Sequence, residues 1–180
     1  GGGNASYDQT FVTYEAGRGF RPLDFTTECV SNVASGSTTW QNVRVPNGTT
    51  WTLSGDTAIN ALLLQGSDPN KVNTVVSGTG TLKVRSGLVI LGYHRNAQPR
   101  IEVPLDFGNA QGVIIIPQGK SSIITQPISG SNGLVVAQTT TTVSTGSGGS
   151  GVSLPANCTY TGDTYIFSLQ GIGSSTLPSG

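Results

Sequence analysis

The constraint that most narrows what this chain can become is the length of its apolar runs. β-Branched and aromatic residues cluster in short segments, among them "DQTFVTY" (8–14), "TTWQNVRV" (38–45), "TTWTLSG" (49–55), "KVNTVVSG" (71–78), "TLKVRSG" (81–87), "LVILGY" (88–93), "RIEVPLDFG" (100–108), "GVIIIPQG" (112–119), "SSIITQPISG" (121–130) and "GLVVAQ" (133–138). Gly, Asn or Pro bounds nearly every one, and helical periodicity is almost absent, so strands dominate. The one helix-like stretch, Asp56 to Leu64, is too short for a convincing helix and reads as strand. The segments "PNGTTWTLSG", "SGTGTLKVRSG" and "IPQGKSSIITQPISG" share a plan of Gly, Thr or Ser, alternating apolar residues and Gly again, at a spacing suited to a solenoid.

These observations predict an all-β fold, a parallel β-helix (β-solenoid) with an N-terminal cap-like segment. The rival is an antiparallel β-sandwich, favoured by the hairpin signal Pro46-Asn47-Gly48. In the solenoid, short strands stack about 4.8 Å apart and their inward residues form apolar columns. Alternation then assigns Trp51, Leu53, Leu82, Val84 and Ile123 to the inner face, with Thr, Lys and Arg outside.

A chain of 180 residues suits one domain. Residues 1–36 read as an arm and cap, 37–138 as coils and 152–180 as a terminal rung. The intervening 139–151 is a Gly/Ser/Thr-rich loop, too poor in apolar residues to bury itself. Charged residues are only 10% and Gly numbers 26, so hydroxyls and amides must cover much of the surface. Nine basic and nine acidic residues cancel, which leaves no long-range field for nucleic acid or an anionic membrane and favours self-association. No apolar run approaches the length of a membrane helix, so no membrane span is expected. The start "GGGNASYDQT" has neither the basic nor the apolar region of a signal peptide, and methionine is absent, so a processed chain or a piece of a longer one is expected.

Cys29 and Cys158 are the two cysteines, and they fit an oxidising compartment. A bridge between them would close a loop of about 130 residues, worth about 5 kcal/mol in the chain-entropy model. Two free thiols and a bridge between subunits remain the alternatives. Two cysteines and one histidine, with no Cys-x-x-Cys, offer no zinc site, and neither a cofactor nor a metal is expected.

Towards the C-terminus, "SGTGTLKVRSGLVIL", "PLDFGNAQGVIIIP", "ISGSNGLVV" and "NCTYTGDTYIFSLQGIGSSTLPSG" occur in order. From about residue 49 to 180 the chain resembles the passenger-associated β-strand repeat of bacterial autotransporter-like surface proteins, most closely at Thr159-Tyr160-Thr161-Gly162-Asp163-Thr164. The resemblance implies an extracellular or cell-surface β-solenoid. Cys158 departs from the repeat, and the segment "YEAGRGFRPLDFTTECV" belongs less clearly to it.

Catalytic signals are weak, and no catalytic residue is assigned. His94 is the sole histidine and reads as a loop residue. Glu102 and Asp106 are the carboxylates a glycosidase would use, but four residues apart on a strand they stand about 13 Å from each other. Lys83, Arg85 and Arg100 suit an acidic sugar. Arg18 and Arg21, with Asp24 and Glu28 nearby, read as ion pairs that lock the cap. Asn4, Asn47 and Asn157 begin glycosylation-type triplets that the bacterial resemblance leaves without use.

The expected function is that of an extracellular structural protein, not an enzyme: a self-associating fibre subunit, or an adhesin module that meets a host or matrix surface. The alternative is a polysaccharide-binding or polysaccharide-cleaving β-helix protein, with a glycan as partner. Tyr7, Phe11, Val12 and Tyr14 are the candidate assembly arm, a segment able to add a strand to a neighbour.

Overall fold

The computed structural model describes residues 11–66, 72–92, 98–116, 122–138 and 152–167, and the backbone of 172–173. Among these residues the protein is all-β, without a helix. A hairpin comes first, β1 (Val12–Glu15) antiparallel to β2 (Gly19–Pro22), followed by the short strand β3 (Cys29–Val30). From there the strands come in threes: β4 (Asn42–Val45), β5 (Thr50–Leu53) and β6 (Thr57–Ile59); β7 (Leu62–Leu64), β8 (Val75–Gly78) and β9 (Leu82–Val84). The next circuits are β10 (Leu88–Leu91), β11 (Arg100–Ile101) and β12 (Leu105–Asp106), then β13 (Gly112–Ile116), β14 (Ser122–Ile124) and β15 (Ile128–Ser129). The last strands are β16 (Leu134–Gln138), β17 (Val152–Ser153), β18 (Thr164–Phe167) and β19 (Ile172–Gly173).

Each member of a triplet enters a different sheet, and the chain visits three parallel sheets in rotation. One has seven strands, in the order β18-β16-β13-β10-β7-β4-β3; the second has six, β19-β17-β14-β11-β8-β5; the third has four, β15-β12-β9-β6. The third sheet is prolonged by Thr159 and Thr161, whose N–H groups donate to the carbonyls of Ile128 and Gly130. Antiparallel pairing is confined, among the described residues, to β1 and β2. This is not the sandwich alternative, and Pro46-Asn47-Gly48 shows why. The Thr49 N–H donates to the Pro46 carbonyl and Gly48 is left-handed at φ 66°, so the segment does make a tight turn. The turn joins β4 of one sheet to β5 of another, however, and does not fold the chain back on itself.

Packing follows from register. Val43, Leu62, Val89, Ile114, Val136 and Ile166 stand one above the other in the seven-stranded sheet. Trp51, Val76, Ile101 and Ile124 do so in the second sheet, and Leu82, Leu105 and Ile128 in the third. These columns meet in one core, in which each wholly buried Leu or Ile contributes about 1.5–3 kcal/mol. The inward assignment of Trp51, Leu53, Leu82 and Val84 agrees with their burial. Ile123 does not: it is half-buried and pairs with Arg100, while Ser122 and Ile124 point inward. The phase is set by Ile124 stacking on the buried Ile101, which a run of two isoleucines cannot reveal. The "DTAINALLL" run is indeed strand, but it bends at Asn60 and Ala61 and supplies two sheets, through β6 and β7.

The N-terminal segment, read as an arm and cap, does two jobs among its described residues. Val30 and Val33 close the first end of the core, and the Trp51 indole donates to the Val33 carbonyl. Phe11, Leu23 and Phe25 instead lie along the outer face of the seven-stranded sheet, with Ala61, Leu63 and Ile90. That face is apolar because Leu63, Ile90 and Ile115 form an outward column. Arg44 lies over the Phe25 ring, 4.4 Å from its centre.

Candidate functional site

Three surfaces qualify: the hairpin, the far end of the sheets and a groove on the four-stranded sheet. The hairpin is held by Arg21, whose guanidinium grips Glu28 at 2.7 and 2.9 Å and reaches Glu15 at 2.7 Å. Arg18 adds a looser pair with Glu15, whereas Asp24 takes no cation among the described residues and accepts instead from Thr26. The ion pairs expected of this segment are present, with Glu15 in the place given to Asp24.

The two hydrogen bonds from Arg21, helped by the Asp24 N–H, lower the Glu28 carboxyl from its usual 4.5 to about 2. A depressed carboxyl contributes stability that is full above its ordinary range and is lost as pH falls through the depressed value. Amide exchange in residues 12–22, corrected for its intrinsic pH dependence, should therefore accelerate as pH falls from about 4.5 to about 2, ahead of exchange in the core strands. Arg21→Gln should produce the same loosening at neutral pH. Protection in 12–22 that is unchanged by both treatments would show that the clamp holds nothing.

Of the candidate arm residues, Tyr7 lies outside the described residues. Phe11 is buried against the chain's own sheet and Val12 and Tyr14 are paired within the hairpin, so none of these three is a free strand. What the hairpin does present is an apolar face: Val12, Tyr14 and Phe20 are all exposed, Phe20 by 81%, and the Tyr14 and Phe20 rings meet edge to face.

The cysteines are both free. Cys29 begins the seven-stranded sheet, while Cys158 precedes the backbone stacked on β15, so about five strand spacings, roughly 24 Å, separate them along the stack. A disulfide needs Cα atoms about 6 Å apart, so the intrachain bridge is excluded by geometry. Burial raises the pKa of both thiols.

At the far end, β18 pairs with β16 and, among the described residues, with no strand on its other side. Ile166 sits in the inward column above Val136 yet is 41% exposed, and no described residue is stacked on it; Tyr165 and Phe167 are exposed beside it. Among the described residues, β18, the edge strand of the seven-stranded sheet, thus presents a row of unpaired backbone donors and acceptors next to a half-exposed apolar column.

The third surface is a shallow groove of about 630 Å³, floored by the outward side of the four-stranded sheet and lined by Thr38, Asp56, Thr81, Lys83, Arg85, Asp106 and Ser129, with Thr57 and Ala58. The Lys83 ammonium lies 3.3 Å from an Asp106 oxygen, and the other Asp106 oxygen accepts from the Gly108 N–H. Asp56 accepts from the Thr81 N–H. Arg85 stacks on Trp40 with its guanidinium 4.6 Å from the ring centre, and Trp40 is 69% exposed.

The charged residues proposed for sugar chemistry are therefore divided. Lys83 and Arg85 meet in the groove, but Arg100 stands on another sheet and pairs with Glu102 at 2.8 Å. Glu102 and Asp106 flank a corner between β11 and β12, and each is held by its own cation. They do not form an acid pair. His94 lies outside the described residues, and no group of three or more metal-ligating side chains occurs among the described ones. Trp40 was hidden from sequence reasoning, since in "TTWQNVRV" it looks like one more strand residue. Compared with models of protein families, with curated proteins and with solved structures, the chain matches none.

Proposed function

We propose that this protein is an extracellular structural module: a β-solenoid, built from the circuits described above, that associates with further copies of itself through the edge of β18. The observation that carries the reading is Ile166, an inward-column residue left 41% exposed beside an edge of β18 that pairs with no other strand among the described residues. A parallel edge with an open apolar column accepts another circuit in register, about 4.8 Å away, by the same hydrogen bonds and packing that join β16 to β18. The contact is heterologous, since the two ends of the stack differ, and such contacts propagate into open fibres. Zero net charge removes the repulsion that would oppose it. The hydroxyl-rich surface and the resemblance to a passenger repeat support a place at the cell surface, where the same module would serve in an adhesin.

The test is Ile166→Lys. Lysine at this end position carries its charge into solvent and leaves the other circuits intact, but a partner circuit would have to bury that charge, at a cost of several kcal/mol. Sedimentation and negative-stain microscopy of the parent chain should show end-to-end oligomers that grow with concentration, and the variant should be monomeric with an unchanged circular dichroism spectrum. A parent chain that stays monomeric at high concentration, or oligomers indifferent to the substitution, would defeat the reading.

A further inference from the structure

We propose that the groove on the four-stranded sheet binds a neutral polysaccharide, a chain of uncharged pyranose rings lying along the stacking direction. The floor is a ladder. Thr38, Ala58, Lys83, Asp106 and Ser129 succeed one another, outward-facing, in register from strand to strand. Successive steps are about 4.8 Å apart, so the ladder extends for roughly 19 Å. That step is close to the length one sugar ring adds to an extended chain, and consecutive rings meet consecutive rungs.

The chemistry of the rungs matches hydroxyl groups. Carboxylates accept from them, ammonium and guanidinium groups donate to them, and Thr and Ser do both. The charges cancel locally, Lys83 and Arg85 against Asp56 and Asp106, so neither a polyanion nor a polycation is favoured. Among the described residues Arg85 has no carboxylate partner, and its Nε is buried without a hydrogen bond. Stacking on Trp40 holds its guanidinium at the rim. Trp40 stands beside the lining residues, joined to them through Arg85, which covers one face of its ring; the largely exposed remainder is an apolar surface at the rim against which the C–H face of a sugar ring packs.

The groove holds its ligand without cleaving it. Asp106 is engaged by Lys83 and Gly108 and Asp56 by Thr81, so both carboxylates act as acceptors fixed in place. This site is independent of the β18 end, and the two inferences fail separately.

The experiment is a titration of the intact chain, and in parallel of Ile166→Lys, with a panel of neutral hexasaccharides (gluco-, manno-, galacto- and xylo-configured) and with hexagalacturonate. Isothermal titration calorimetry reads binding in every variant, and tryptophan emission reports it as well wherever Trp40 is kept, because Trp51 is buried and Trp40 is the exposed indole. At least one neutral hexasaccharide should bind at millimolar concentration or below and shift the emission to the blue. Trp40→Ala and Asp106→Asn should each weaken binding about tenfold, and Asp163→Asn, at the far end, should leave it unchanged. Sedimentation of the groove variants should match the parent. Failure of every neutral hexasaccharide to bind at millimolar concentration overturns the proposal. Binding that is undiminished in both groove variants, or binding of hexagalacturonate alone, also overturns it.

Discussion

Replacing Gly78 by alanine lowers the stability of this protein by at least about 4 kcal/mol. Gly78 ends β8, in register with Leu53 of β5, and holds a φ of +125° that side chains rarely adopt. A Cβ there would stand 1.9 Å from the Leu53 carbonyl oxygen and under 3 Å from two more backbone atoms of Leu53. Backbone cannot step aside as a flexible side chain can, so either β8 separates from β5 or Gly78 changes conformation. In a stack each circuit touches only its neighbours, and a damaged boundary therefore divides the molecule into two weakly coupled parts. Differential scanning calorimetry should show the main transition about 10 °C lower, or split in two. A transition within about 2 °C of the parent would mean that the close approach of β5 and β8 is not a constraint.

Phe107→Ala has the second large effect, a loss of about 3–5 kcal/mol. Phe107 is among the largest wholly buried side chains, and its ring fills space that Gly112 leaves open. A Cβ at Gly112 would lie 2.4 Å from the ring, so Gly112→Ala by itself is destabilising too. Together the two substitutions should cost less than the sum of their separate costs, because the alanine methyl at 112 enters space the ring has vacated. Chemical denaturation of both single variants and the double variant completes the cycle, with an expected coupling of about 1–2 kcal/mol. Additive losses would show that Phe107 and Gly112 are not packed as described.

Much of the local structure is legible in the residues. Alternation assigned Trp51, Leu53, Leu82 and Val84 to the core because the two faces of a strand differ at each step, a property of neighbouring residues alone. The same reasoning misplaced Ile123, where Ile123 and Ile124 give alternation nothing to choose between, and the stacked partner Ile101 decides. Pro46-Asn47-Gly48 announced a turn correctly but not its destination, since a tight turn looks alike whether the chain returns beside itself or rounds a corner into another sheet. The pairing of Arg21 with Glu28 was foreseen from the nearness of opposite charges in sequence, that with Glu15 was not; nor was the groove, because its Thr38, Lys83, Asp106 and Ser129 come from four different circuits.

The sequence by itself determined that this chain is made of short strands with polar corners, that it carries no net charge, and that Trp51, Leu53, Leu82 and Val84 face its core. Only the tertiary structure decided that Cys29 and Cys158 stand far apart, that Phe11 is folded onto the chain's own flank, and that Trp40, Arg85 and Lys83 share a surface. The physical reason is range. Alternation and turn chemistry act over a few neighbouring residues, whereas stacking joins residues such as Val43, Leu62, Val89 and Ile114 at uneven separations along the chain, and each loop between them can lengthen without disturbing the register.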